Sequence, residues 1–314
     1  MTAPAVPAAV PRVARPSARG RGDRLGSLVE FWFRAQATLV YVFLYAPIVV
    51  VVLFAFNNTQ GVATRWEGLS LRWFEIALHD PVVLKSLTNS FIIAIPNAIL
   101  STIFGTMAAL ALQRVGKRVR LAFDGLTYMS VIVPEIVIAL STLVLFATSF
   151  DLVESITGER PKFGYTTIIA AHVLFNTSLV LLLVRARLSG MDRTLVEASA
   201  DLFATPWRTF RQITFPQLLP AIVAGFLLSF TFAFDDYLIT TFVNGRGTST
   251  VPLYVFGQIR RGVTPATNAV AALMLLITLG ILLIGQFLLT RHARRSAGQR
   301  GGGGVAGMVA EQSG

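Results

Sequence analysis

The chain has 314 residues, of which 54% are hydrophobic and only 14% are charged; an ordinary soluble domain has about a quarter of its residues charged. Several apolar runs exceed the ~20 residues that span a bilayer, so the composition excludes a soluble globular protein and predicts a multi-spanning membrane protein. The net charge of +11 is spread over loops and tails, which favours a membrane surface over nucleic acid as its partner, and the lack of cysteine excludes disulfides, thiolate catalysis and cysteine-ligated metals.

Three parts follow one another along the chain. Residues 1–36 are predicted to be a tail, disordered in the stretch Thr2–Arg24, which is rich in Pro, Ala, Arg and Gly, and amphipathic after it. Residues 37–290 form an all-α domain of six membrane helices. Residues 291–314 are predicted to be a second tail, disordered from its glycine run onward. The six helices are predicted at Ala37–Phe56, Thr88–Leu112, Leu121–Phe150, Tyr165–Leu188, Gln217–Val243 and Ala266–Thr290.

The distribution of lysine and arginine predicts the orientation of these helices. Of the 27 basic residues, 19 fall in the two tails and in the loops after the second and fourth helices, and 8 fall in the other loops. Because cytoplasmic loops carry the excess of positive charge, both termini are predicted to lie in the cytoplasm. That orientation requires an even number of spans, which six satisfies.

The loop between the fourth and fifth helices, residues 189–216, carries two short amphipathic helix patterns. The first starts near Thr194, with Glu197 three residues later as a capping box. The second has Thr205 as its N-cap and Pro206 at the first helical position. Their apolar stripes need a surface to pack on, which is either the underside of the membrane helices or a partner protein.

The same loop reads Glu197-Ala198-Ser199, three residues, Phe203, nine residues, Ile213, one residue and Phe215-Pro216. This register resembles the signature loop of ABC importer permeases, Glu-Ala-Ala-x3-Gly-x9-Ile-x-Leu-Pro. The resemblance implies a coupling loop that sits in a groove of a cytoplasmic ATPase subunit. The residues implied in coupling are Glu197, Ala198, Ser199, Asp201, Phe203, Thr205, Pro206, Ile213 and Pro216.

One residue departs from that signature. Phe203 stands where the family usually has glycine. If the position requires a positive φ, a phenylalanine there costs roughly 1–2 kcal/mol.

Segments outside the loop resemble the second permease subunit of spermidine/putrescine importers. Among them are Asn89–Ala94, Phe234–Ile239 and Thr250–Tyr254, and the likeness extends from about Val40 to Leu289. It implies a type I ABC importer permease of a bacterial cytoplasmic (inner) membrane that forms half of a polyamine pore. Importers of 2-aminoethylphosphonate, ferric ion or other small solutes share this architecture and remain alternatives.

The resemblance also implies partners: a second homologous permease, two ATPase subunits and an extracytoplasmic substrate-binding protein. The chain has no Gly-rich loop ending in Gly-Lys-Ser/Thr, the motif that cradles nucleotide phosphates. ATP and Mg²⁺ are therefore expected on the ATPase partner, with no cofactor or metal on this chain, which is not expected to be an enzyme. A secondary transporter is the rival class. It would need inverted repeats or ion-coupling sites in broken helices, and the sequence shows no internal repeat.

Three acidic residues fall within predicted spans. Glu135 is placed near the middle of the third helix, and Asp235 and Asp236 in the outer half of the fifth, about 100° apart on the helix surface. A carboxylate at the centre of a membrane helix costs about 2.5–3.5 kcal/mol, so these side chains are expected to face the bundle interior or water. They either line the pathway of a cationic substrate or bond to hydroxyls, to Asn97, to His172 or to the partner permease.

Overall fold

The computed structural model describes residues 22–61, 65–192 and 194–301, and within these ranges it describes side chains from residue 29 to residue 291. The described residues form helices, with one isolated bridge between Asn57 and Leu69. A π-helix, Phe210–Thr214, follows the eighth helix. The α-helices are α1 (Gly22–Ala55), α2 (Arg72–His79), α3 (Pro81–Ala111), α4 (Lys117–Ile132), α5 (Glu135–Thr157), α6 (Tyr165–Ser189), α7 (Thr194–Asp201), α8 (Pro206–Thr209), α9 (Phe215–Phe234), α10 (Leu238–Val243), α11 (Val251–Ile259) and α12 (Pro265–Gly301).

Within the described ranges, six helical segments are long and apolar enough to cross a membrane. The all-α class and the count of six candidate membrane helices are therefore confirmed. The segments are Val29–Ala55, Pro81–Ala111, Glu135–Thr157, Tyr165–Ser189, Pro206–Phe234 and Pro265–Arg291.

The chain divides into two compact units, residues 1–50 and 51–314. The described part of the first unit is helical from Gly22 onward, and Arg34 pairs there with Glu30 of the preceding turn at 2.5 Å. The predicted N-terminal disorder falls largely on residues 1–21, which lie outside the described residues. The predicted disordered C-terminal end falls on residues 302–314, which also lie outside them, and α12 extends to Gly301.

The centre of the second unit is built where α3, α6 and α9 pack on one another. Val180 of α6 is fully buried there, and a Cβ added at Gly105 of α3 would lie 2.7 Å from the Cβ of Val180. At Gly225 of α9 an added Cβ would lie 3.1 Å from a Val180 methyl group. Small residues at such crossings allow helix backbones to approach closely, as is common in membrane bundles.

The predicted third helix is not continuous. The chain forms α4 and α5 instead, with Val133 in an extended conformation (φ −64°, ψ 131°) and Pro134 between them. Proline has no N–H to donate within a helix, and it disfavours helical geometry at the residue before it. The prediction of one helix over Leu121–Phe150 is therefore wrong, and the membrane-length segment starts at Glu135.

The predicted fifth helix is also broken. It ends at Phe234, and α10 begins only at Leu238. Asp235 closes the first segment with φ −93° and ψ −1°. The two aspartates therefore occupy a break between helices, and the prediction that they lie on one continuous helix is wrong.

Candidate functional site

The two helix breaks meet, because α10 packs against α5 through Ala139, Ile239 and Val243. Between them lies a cleft of about 410 Å³, called here the acidic cleft. All three acidic residues that the sequence places within the membrane line it. The lining residues are Glu135, Thr231, Phe232, Asp235, Asp236, Tyr237 and Leu238.

Glu135 is the first residue of α5, and its side chain is half-buried. The sequence places it near the middle of a helix, which is wrong because Pro134 ends the preceding segment. At a helix N-terminus the unpaired backbone N–H groups favour a negative charge. The position is therefore less costly for a carboxylate than the middle of a membrane helix.

The two neighbouring aspartates have different environments. Asp235 is exposed, and its Oδ1 accepts a hydrogen bond from Thr278 Oγ1 of α12 at 3.2 Å. The side chain of Asp236 is only 1% exposed. Its Oδ1 accepts from the Ile239 N–H at 3.2 Å, and its Oδ2 accepts from the N–H and Oγ1 of Thr240, each at 2.8 Å. Asp236 therefore caps the start of α10, whereas Asp235 faces the open cleft.

His172 of α6 lies behind Asp236. Its Nε2 is 3.2 Å from Asp236 Oδ2, and its Nδ1 is 2.8 Å from the Ile168 carbonyl oxygen. The contact with His172 is one of those that the sequence offered for the acidic residues. Asn97 does not reach them, since its side-chain N–H donates to the Ser229 carbonyl oxygen at 2.9 Å.

Aromatic rings adjoin the carboxylates. Tyr237 lines the cleft and stacks on Phe256 of α11, with ring centroids 4.0 Å apart. Carboxylates bind ammonium groups by charge-assisted hydrogen bonds, and aromatic faces attract cations. The arrangement is therefore suited to an organic cation. Sequence reasoning missed Tyr237, Phe256 and Thr278, and only the helix-stopping Asp-Asp pair before an apolar run could have indicated a capped break here.

In the part of the chain that the structure describes, no group of three or more His, Asp and Glu side chains has the arrangement of a metal site. The cleft itself is lined by carboxylate, hydroxyl, aromatic and aliphatic side chains.

The 189–216 loop folds into α7 and α8, which are joined by a contact between Ser199 Oγ and Thr209 Oγ1 at 2.9 Å. Thr205 is the N-cap of α8 with Pro206 after it, as predicted, and its Oγ1 accepts from the Arg208 N–H at 3.4 Å.

The start of α7 differs from the predicted capping box. Thr194 is the first helical residue, and its N–H and hydroxyl both donate to Asp192 Oδ1, at 2.9 and 2.7 Å. The hydroxyl bond, with the backbone bond, lowers the pKa of the Asp192 carboxyl below its ordinary value. The position before Thr194 lies outside the described residues, and among those described Glu197 forms no hydrogen bond with Thr194.

The turn after α7 places Phe203 at φ +55°, the only positive φ at a non-glycine position in the described ranges. The Phe203 N–H bonds to the Ala200 carbonyl at 2.9 Å, and the Ala204 N–H bonds to the Ser199 carbonyl at 3.0 Å. This pair of bonds is the Schellman motif, whose left-handed position is usually occupied by glycine. The condition stated for this position therefore holds, since Phe203 has a positive φ, and a left-handed backbone accounts for the glycine of the family signature.

The surface of this loop is unusually apolar. Phe203 is 96% exposed, Leu202 81% and Trp207 69%, and Glu197 is exposed beside them. A cleft of about 800 Å³ is lined by other residues of the loop and by residues at the adjoining ends of α3 and α6. An exposed apolar group rimmed by polar residues marks an interaction surface.

The remaining coupling residues lie along the same segment. Ala198 and Asp201 belong to α7, Ile213 to the π-helix, and Pro216 to the first turn of α9. The loop is therefore continuous with the fifth membrane-length segment, which runs from Pro206 to Phe234.

Six membrane-length helices, a polar cleft at two helix breaks and an exposed apolar loop define a membrane transport protein. Residues 101–298 match the family described as "Binding-protein-dependent transport system inner membrane component". The chain belongs to that family of transport permeases.

Similar proteins and structures agree with this membership. The chain is 38% identical over 245 residues to the putrescine transport system permease protein PotI of Escherichia coli strain K12, covering 78% of this chain and 85% of that protein. It is 35% identical over 253 residues to the spermidine/putrescine transport system permease protein PotC of Haemophilus influenzae, covering 81% and 94%. A chain of the crystal structure of a bacterial ABC transporter for alginate import has the same fold, with a TM-score of 0.70, 13% identity and coverage of 86% and 98%.

Proposed function

We propose that this chain forms half of the translocation pore of an ATP-driven importer whose substrate is a polyamine. The observation that carries the proposal is the convergence of Glu135, Asp235 and Asp236 in one cleft at two helix breaks. The similarity to putrescine and spermidine/putrescine permeases supports the same substrate class.

The chemistry of the cleft fits a flexible polycation. Asp235 is exposed and Glu135 is half-buried, so both carboxylates are available to ammonium groups, and the methylene chain between two such groups packs on the stacked rings of Tyr237 and Phe256. Asp236 does not bind the substrate directly, because both of its oxygens already accept hydrogen bonds from backbone and hydroxyl donors. It affects the pathway through its charge. Carboxylates are tolerated within a membrane bundle where they face its interior or a cavity, and all three line this cleft.

Uptake of labelled putrescine and spermidine by cells with Glu135→Gln or Asp235→Asn tests this role. A hydrogen bond to a charged group contributes about 1.5–3 kcal/mol, so each change is expected to lower uptake at limiting substrate roughly ten- to hundredfold. Asp151→Asn is the matched control, because Asp151 forms an exposed ion pair with Arg160 at 2.7 Å. Uptake at the unmodified rate in both cleft variants would contradict the proposal.

The proposed assembly contains a second, homologous permease, two ATPase subunits and an extracytoplasmic substrate-binding protein. The 189–216 loop is proposed to dock on an ATPase subunit, which carries ATP and Mg²⁺, while this chain binds no cofactor and catalyses no reaction. The exposed Leu202, Phe203 and Trp207 support such a contact. Closure of the ATPase pair then moves the loop. This movement exposes the cleft first to one side of the membrane and then to the other.

We further propose that the chain lies in a bacterial inner membrane with both termini in the cytoplasm, as the 19-to-8 distribution of basic residues favours. Because the chain has no cysteine, single introduced cysteines test this directly. In spheroplasts, a membrane-impermeant maleimide is expected to label Glu159→Cys and not Gly116→Cys. The reverse labelling would contradict the orientation.

A further inference from the structure

The contact between His172 and Asp236 fixes where one proton lies. His172 is 1% exposed, and its Nδ1 is 2.8 Å from the Ile168 carbonyl oxygen. A carbonyl oxygen only accepts hydrogen bonds, so Nδ1 carries a hydrogen. In a neutral ring, Nε2 would then present a lone pair.

That lone pair would face a carboxylate oxygen. Nε2 lies 3.2 Å from Asp236 Oδ2, and among the described residues no group forms a hydrogen bond of regular geometry with it. Two lone pairs at this distance repel, so a proton must reside on one of the two groups. Asp236 accepts three hydrogen bonds from Ile239 and Thr240, which stabilise its ionised form. The proton therefore belongs to the imidazole.

We infer that His172 is a specificity-determining residue that neutralises Asp236 and so sets how many positive charges the acidic cleft accepts. This inference rests on the proposed function. The cleft has three carboxylates, and the imidazolium offsets one of them. The other two, Glu135 and Asp235, form no ion pair with a cationic side chain among the described residues, and both are more accessible than Asp236. The half of the site formed by this chain is thereby matched to a linear diamine rather than to a triamine.

The consequence is a positioning role with a measurable effect on selectivity. His172 does not reach the open cleft, so it acts on the substrate through the charge of Asp236. If the imidazolium is removed, the cleft gains one uncompensated negative charge. One further pair of opposite charges about 10 Å apart at an effective dielectric constant of ~20 changes relative affinity on the order of tenfold.

The test measures uptake of labelled spermidine and putrescine separately and compares their ratio. In His172→Gln the ratio of spermidine to putrescine uptake is expected to rise about tenfold. In the double variant His172→Gln with Asp236→Asn, which removes the charge along with its counterion, the ratio is expected to return to that of the unmodified protein. His79→Gln is the matched control, since its Nδ1 contacts only the Glu75 carbonyl within α2, and its ratio is expected to stay unchanged.

Two outcomes would overturn the inference. An unaltered ratio in His172→Gln would show that the imidazole does not set the charge of the cleft. If the double variant had a lower ratio of spermidine to putrescine uptake than the unmodified protein, His172 and Asp236 together would carry a net negative charge. If His172→Gln alone is not recovered in membranes, the double variant decides the question. Either outcome leaves the proposed function standing as long as Asp235→Asn still lowers uptake of both polyamines.

Discussion

The acidic cleft and the 189–216 loop differ in which side chains they bury and which they expose. In the cleft, Asp236 is buried and its oxygens are bonded within the chain, and Asp235 is held by Thr278. In the loop, Phe203 and Trp207 project from the surface and are largely exposed. The cleft places polar groups where water is scarce, and the loop places apolar groups where it is plentiful. Each arrangement is costly in the isolated chain.

The difference indicates the kind of ligand that each region accepts. A small organic cation needs hydrogen-bond acceptors and negative charges that are already arranged, because it brings few contacts of its own. A protein partner brings a complementary surface, so one side of the contact can be left incomplete until assembly. The side chains of the cleft are therefore already arranged within this chain, whereas the surface of the proposed docking loop stays incomplete until its partner binds.

Deletion of residues 200–204 is expected to have the largest effect on transport, because it alters the loop and leaves the cleft intact. The deletion removes the Schellman turn and the exposed Phe203 but no residue of the acidic cleft. We expect complete loss of ATP-driven uptake with normal abundance and insertion in the membrane. The ATPase subunit is expected to be lost when the tagged permease is purified.

A milder variant controls for damage caused by the deletion. Glu197→Lys reverses one exposed charge of α7 and is expected to lose most uptake, whereas Glu159→Lys makes the same change on an exposed loop elsewhere and is expected to retain it. Uptake at the unmodified rate after the deletion would refute the coupling role of the loop and leave the cleft unaffected.

The two regions are connected by α6, which carries His172 toward one end and Ser189 at the other. Its 1.5 Å rise per residue separates these positions by about 25 Å, and Val180 packs into the core between them. In Gly105→Ala the new Cβ would lie 2.7 Å from the Cβ of Val180 and 2.9 Å from the Thr177 carbonyl oxygen. Overpacking of this kind costs about 1–3 kcal/mol.

Thermal unfolding of the detergent-purified permease checks this expectation. A loss of about 1–3 kcal/mol is expected to lower the Tm by several degrees, on the order of 2–4 °C per kcal/mol. Gly125→Ala is the matched control, because nothing lies within 4 Å of its added Cβ, and alanine favours a helix over glycine by about 1 kcal/mol. An equal Tm for both variants would show that this crossing tolerates a wider separation of the helices.

The sequence was sufficient for the parts of the fold that depend on local patterns. Apolar length predicted the six spans, and the hydroxyl-Pro pair at Thr205 and Pro206 predicted the start of α8. The family signature identified Phe203 as the residue that stands at a glycine position, and the structure shows that its backbone is left-handed there.

It was insufficient where tertiary contacts override a local pattern. Continuous hydropathy hid the breaks at Pro134 and after Phe234, because a membrane helix tolerates proline when neighbouring groups satisfy its backbone. Nothing in the spacing of His172 and Asp236 along the chain indicates that they touch. The sequence offered His172 as one of several partners for the acidic residues, and the structure shows that its contact is with Asp236.

Substitution of Phe203 is expected to have the smallest effect on stability. It separates the backbone strain of the turn from the contribution of the aromatic ring to ATPase binding. Phe203→Gly removes the left-handed strain and is expected to stabilise the purified permease by about 1 kcal/mol, less a fraction for the greater freedom of glycine in the unfolded chain. Phe203→Ala keeps the strain and is expected to leave the Tm unchanged. Both remove the ring, so both are expected to weaken ATPase binding and to lower uptake to a similar extent. If Phe203→Gly gained stability and kept full uptake, the ring would have no part in docking, and the loop would bind its partner through its backbone turn alone.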